Sequence, residues 1–160
     1  MRFLSSILLF AAAIQTVPAT AQSVRSPLLG RWTVDVSRLP MPPEARPKSV
    51  TFTFRDAGGG KWSTNVDIIN GDGSERHMMS NYVPDGTASP IAGDKLEADT
   101  AAVKIPVPNV MVLELVKGGA PASTRVYTVA ADGKTMIETA AYVGGDGKPV
   151  MRTNYFNRVR

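Results

Sequence analysis

The sequence predicts an all-β domain, an antiparallel up-and-down meander of roughly eight to ten strands closed into a barrel. Three observations carry that expectation. Apolar residues alternate with polar ones along most of the chain, as in Val50, Phe52 and Phe54 against Thr51, Thr53 and Arg55. Asp-Gly pairs recur between these runs, at 72–73, 85–86, 132–133 and 146–147. Beyond the N-terminal segment, almost nothing repeats at helical spacing. Period-two alternation marks strands with one buried face, and Asp-Gly supplies the positive φ of a tight hairpin without steric cost.

The chain opens differently. Met1-Arg2 precedes an apolar block from Phe3 to Ile14, and Ala19-Thr20-Ala21 stands before Gln22. A short positive start, an apolar core and small residues form a secretory signal peptide, read over residues 1–21 with cleavage near Ala21. The block is too short to remain as a membrane span, and no later stretch is apolar enough to be one. One domain then occupies residues 22–160, with a periplasmic or secreted destination. There is no cysteine, so neither a disulfide framework nor thiol chemistry is available. Net charge is +4, but Arg31, Arg46, Lys48, Arg55, Lys61, Arg125, Lys134 and Arg158 are scattered. No basic stripe exists to hold nucleic acid.

The strands follow in order. Leu29–Val36 begins the domain, Val50–Arg55 and Trp62–Ile68 alternate, and Arg76–Val83 comes after the first Asp-Gly. Ala98–Ile105, Val110–Lys117, Thr124–Ala130, Lys134–Val143 and Val150–Val159 complete the set. Gly58-Gly59-Gly60 and Gly118-Gly119 punctuate it, and Pro106 and Pro108 imply an edge, bulge or turn. Two stretches break the rhythm. Ser37–Pro47 carries Pro40, Pro42, Pro43 and Pro47, which rule out helix or central strand, and reads either as a lid over a barrel mouth or as a plain covering loop. Pro84–Asp94 reads as a polar loop.

Gly30-Arg31-Trp32, followed by a meander that ends in "MRTNYFNRVR", resembles the lipocalin-like and wider calycin group of small barrels. The likeness is to short exported bacterial members with a G-x-W start, a proline-bearing loop and an aromatic-plus-basic last strand. It implies that Gly30, Trp32 and Arg158 close one end of the barrel, with Arg160 as a substitute for Arg158. The basic side chain would lie across the indole face as a plug. It also implies two functions to choose between. One is carriage of a small hydrophobic or amphipathic ligand. The other is non-catalytic inhibition of, or interaction with, a protein partner, through a loop or the tail Gln22–Pro27 on a filled barrel.

Candidate chemistry is sparse. His77 is the sole histidine, so a multi-ligand metal site and a serine triad both lack their parts. Asp72, Asp85, Asp132 and Asp146 serve turns. Glu114 and Glu138 fall mid-strand and would form a carboxylate pair only if both pointed inward; the outer face is expected for them. Met78, Met79 and Met111 read as core filler rather than haem ligands. No enzyme activity, cofactor or metal is expected. Phe52, Phe54, Trp62, Tyr127, Tyr142 and Phe156 are the aromatic candidates for the interior. Of these, Phe52, Phe54, Trp62 and Tyr127 are expected to wall a ligand cavity whose mouth is bordered by Ser37–Pro47 and Pro84–Asp94. Their bulk favours a partly or wholly filled interior.

Overall fold

The computed structural model describes residues 25–159; the leader read at 1–21 and Arg160 lie outside them. Eleven strands follow one another: β1 (Gly30–Val34), β2 (Ser49–Gly58), β3 (Lys61–Ile69), β4 (Glu75–Tyr82), β5 (Asp85–Pro90), β6 (Ala92–Gly93), β7 (Thr100–Val107), β8 (Val110–Lys117), β9 (Ala120–Val129), β10 (Thr135–Val143) and β11 (Pro149–Arg158). All pair antiparallel in the order β5-β7-β8-β9-β10-β11-β1-β2-β3-β4-β6. First and last strands lie side by side, with Trp32 opposite Arg158 and Val34 opposite Phe156. The result is a nearly closed barrel.

The nine expected strands are all present, and two more arise where a polar loop was expected. Residues 85–90 alternate no apolar side chains, so they carry no strand signal; they are recruited by the free edge of β7. One residue later the same segment leaves β7 and pairs with β4, Met78 opposite Gly93 and Met79 opposite Ala92. A single bent segment therefore spans from β7 to β4, which do not pair with each other. Ser80 Oγ donates to the Pro90 carbonyl at 3.0 Å, and the Asp94 amide donates to that of His77 at 2.8 Å. Asp85-Gly86 is thus no hairpin; it sits at a register shift within β5. Pro106 behaves as read: the ladder between β7 and β8 slips across it.

Gly93 makes this join feasible. Its φ is +84°, and a Cβ there would overlap the His77 carbonyl oxygen. Gly86 has a similar φ of +96° but open space around it. Gly93→Ala is expected to cost roughly 2–3 kcal/mol, since left-handed strain and a backbone clash act together. Gly86→Ala should cost only about 1 kcal/mol. Paired thermal melts followed by circular dichroism compare the two; equal losses would show that the β4–β6 join is not tight.

The lower end of the barrel is solid. Trp32 is fully buried and its Nε1 donates to the Leu28 carbonyl at 2.8 Å. Arg158 lies over the indole with its Cζ 4.1 Å from the ring centroid. Its guanidinium also donates to the carbonyls of Leu29 at 2.9 Å, Gly133 at 2.6 Å, and Pro27. Gly30 passes beneath it at φ +130°, where a Cβ would press on Arg158 Nη1 at 2.6 Å. Above this plug, Phe52, Phe54, Tyr127 and Phe156 form one aromatic cluster with ring centroids 5.3–6.2 Å apart. Edge-to-face and tilted contacts of this kind fill the lower half densely.

The upper end is covered by the proline-rich connection between β1 and β2. Two short 3₁₀ turns, Val36–Arg38 and Pro43–Ala45, shape it. Asp35 caps the first by accepting from the Ser37 amide at 3.2 Å, and the Lys48 amide rejoins the sheet at the Ile69 carbonyl, 2.8 Å away.

Candidate functional site

Between the aromatic floor and the proline-rich strap lies a cavity of about 380 Å³, within the size range of small-molecule sites. Alternation builds it, since every second residue of each strand points inward. Val50, Val66, Ile68 and Met78 from β2, β3 and β4 give it an apolar wall, extended by Leu39, Met41 and Pro47 of the strap. Ser37–Pro47 therefore covers the mouth, while the segment read as a second loop is wall, contributing Ile91.

Of the four aromatics expected to wall the cavity, Phe52, Phe54 and Tyr127 line it and Trp62 does not. Trp62 shares the inward parity of Val66 and Ile68 but lies at the lower end, opposite Asp56 beside the Gly58–Lys61 turn, partly buried against the core. Tyr142 also stays out of the lining, and Phe156 joins the floor. The interior is partly filled.

The wall built by β9, β10 and β11 is polar. Glu138 was expected on the outer face; it points inward and is 2% exposed. A buried carboxylate is tolerable only when paired and hydrogen-bonded, and Glu138 has three donors. Tyr127 Oη donates to Oε1 at 3.1 Å, Asn154 Nδ2 to Oε2 at 2.7 Å, and Arg125 Nη1 stands 3.4 Å from Oε1. Arg125 also donates to Glu97 at the rim, at 2.7 Å. Burial opposes the charge on Arg125, but the surrounding ionisable oxygens of Tyr127, Glu138 and Glu97 outweigh it and raise its pKa. Burial, and then the Glu138 charge, push the Tyr127 phenol well up, so it stays a neutral donor. Glu114 does face outward, accepting from Thr124 at 2.5 Å, so the two glutamates form no pair.

Three arginines line the cavity, and they differ in their partners. Arg125 is matched by Glu138 and Glu97. Arg76 forks onto Asp94 at 2.9 and 3.1 Å, and that pairing drops the Asp94 carboxyl to about 2. Arg152 makes no ion pair among the described residues; its Cζ stands 5.6 Å from the Tyr142 ring centroid, and its buried Nε has no hydrogen-bond partner. Asn154 Oδ1, also buried, has none either. Each such orphan costs about 1–3 kcal/mol. His77 lies elsewhere, exposed on the outer face between Asp67 at 2.8 Å and Glu75 at 3.1 Å, which raise its pKa.

No family model and no curated protein matches this sequence. Among solved structures, a mutant of the fluorescent protein UnaG aligns with a TM-score of 0.52 and 16% identity, over 84% of this chain and 97% of that one. The two share a fold. The likeness extends to the nearly closed antiparallel β-barrel, and a lipocalin-like layout fits it coarsely.

Proposed function

We propose that this protein binds a small amphipathic molecule inside the barrel, without catalysis, after export from the cytoplasm. The observation that carries the reading is the cavity itself, about 380 Å³ with an apolar wall, a polar wall and buried polar groups left without partners. Affinity would come from apolar surface buried against β2–β4 and the strap, at roughly 25 cal/mol per Å² before ordering costs. Orientation would come from β9–β11. The competing reading, a filled barrel serving only as an interaction module, is favoured by no feature of this interior. A catalytic role finds little support, because the inward carboxylate of Glu138 is held by three donors rather than poised on a nucleophile.

Native mass spectrometry of the mature protein, purified from its own compartment, tests this. A bound small molecule released on denaturation is the expected result. Trp32 is sealed in the plug and Trp62 is outside the cavity lining, so tryptophan quenching is a poor reporter. An added dye, anilinonaphthalene sulfonate, serves better: its fluorescence should rise on binding, and Val66→Trp, which fills the cavity, should abolish that rise in a folded protein. A clean apo mass with no dye binding would overturn the proposal.

A further inference from the structure

We infer that the cavity selects molecules whose anionic head carries an adjacent hydrogen-bond donor, such as β-hydroxy acids, with Arg152 taking the anion and Asn154 accepting from the donor. This rests on the reading of the cavity as a binding site.

The selection follows from which groups are already satisfied. An anion entering the cavity meets three arginines, but Arg76 is forked onto Asp94 and Arg125 lies between Glu97 and Glu138. Drawing an anion onto either would break a short charge-assisted contact. Arg152 has no carboxylate to give up, and its Nε is buried without an acceptor. It is the one cation of the lining, among the described residues, whose partner is missing.

Asn154 adds the second requirement. It stands two residues along the same strand, on the same inward face, with its Cα about 7 Å from that of Arg152. Its amide orientation is dictated by Glu138, because only Nδ2 can donate to the carboxylate 2.7 Å away. That leaves Oδ1 as a bare acceptor in a residue only 7% exposed. A plain carboxylate beside Arg152 would satisfy the arginine and leave this carbonyl unmet, close to the negative charge of Glu138. A hydroxyl or N–H near the carboxylate supplies the missing donor, and a small turn of each of these two lining side chains toward the cavity lets both orphans be met at once. A cationic head would face Arg152 unfavourably, and a purely hydrocarbon ligand would leave both groups unpaired.

Displacement of anilinonaphthalene sulfonate by three probes of equal chain length tests each half. β-Hydroxydecanoate is expected to compete about tenfold better than decanoate, which lacks the donor, and about tenfold better than its own methyl ester, which lacks the charge. Arg152→Gln should erase the preference over the ester. Asn154→Ser, which shortens the acceptor, should erase the preference over decanoate. Because Asn154 also supports Glu138, the wild-type comparison decides even if that variant folds poorly. Dye binding with no preference among the probes would overturn the head-group assignment and leave the carrier reading standing. Failure of dye and all three probes to bind would overturn both.

Discussion

Arg158→Ala is expected to lower stability by about 3 kcal/mol, seen as a fall in Tm of roughly 10 °C in a two-state melt. The side chain, on the last strand, reaches two parts of the chain that are far from it and from each other in sequence. It donates to carbonyls on the N-terminal approach at Pro27 and Leu29, to Gly133 in the β9–β10 turn, and it covers the indole of Trp32. A cation over an indole contributes about 0.5–2 kcal/mol, and hydrogen bonds from a charged group about 1.5–3 kcal/mol each, less where water replaces them. Part of the guanidinium reaches solvent, so the sum falls well below simple addition. Burial lowers the Arg158 pKa, yet an arginine stays charged at any working pH. Arg158→Lys should recover less than half of the loss, because an ammonium cannot spread over three carbonyls and a ring together. Trp32 emission should shift to the red in the alanine variant as water reaches the plug. An alanine variant that melts within about 2 °C of wild type, with unchanged emission, would mean that the β1–β11 pairing closes this end unaided.

How much of this was legible in the sequence differs between the frame and the site. The strands were readable because alternation and turn chemistry agree. Asp72-Gly73, Asp132-Gly133 and Asp146-Gly147 each place a positive-φ glycine after an aspartate whose side chain accepts the amide two residues on. Asp85-Gly86 has the same local chemistry, including the Asp85 bond to the Thr87 amide, yet lies inside β5. The turn signal is local, whereas the strand there exists because β7 offered an edge. The plug was legible through the resemblance, which pairs Trp32 with Arg158.

The polar wall was hidden for a different reason. Arg125 shares parity with Tyr127 and Val129, Glu138 with Met136 and Ala140, and Arg152 with Asn154 and Phe156. Parity alone therefore points all three charges inward. The ordinary rule that charges stay outside argued against it. Only the cross-strand register, with Tyr127 opposite Glu138 and Glu138 opposite Asn154, shows that these groups satisfy one another. Trp62 failed in the opposite sense. Its parity is inward, but depth along the barrel axis is not written in alternation, and it falls below the cavity floor.

The same register makes the second large prediction. Glu138→Leu is expected to destabilise by about 3–5 kcal/mol, because it leaves the Arg125 charge without its buried partner and strips the acceptor from Tyr127 Oη and Asn154 Nδ2. Arg125→Met alone should cost less, about 2–3 kcal/mol, since Glu138 keeps two of its donors and Glu97 can turn to water. In the double variant the charge imbalance disappears and apolar contacts replace it. Its loss should fall short of the summed singles by at least about 1.5 kcal/mol, measured as the coupling in a urea-denaturation cycle. Strict additivity would show that the ion pair is not a unit and that water reaches Arg125 from the rim. The double variant also separates structure from binding: Arg152 and Asn154 remain in place, but Asn154 loses the carboxylate that fixes its amide. Such a protein should still bind a β-hydroxy acid in preference to its ester, while its preference over the plain acid weakens as the amide becomes free to turn.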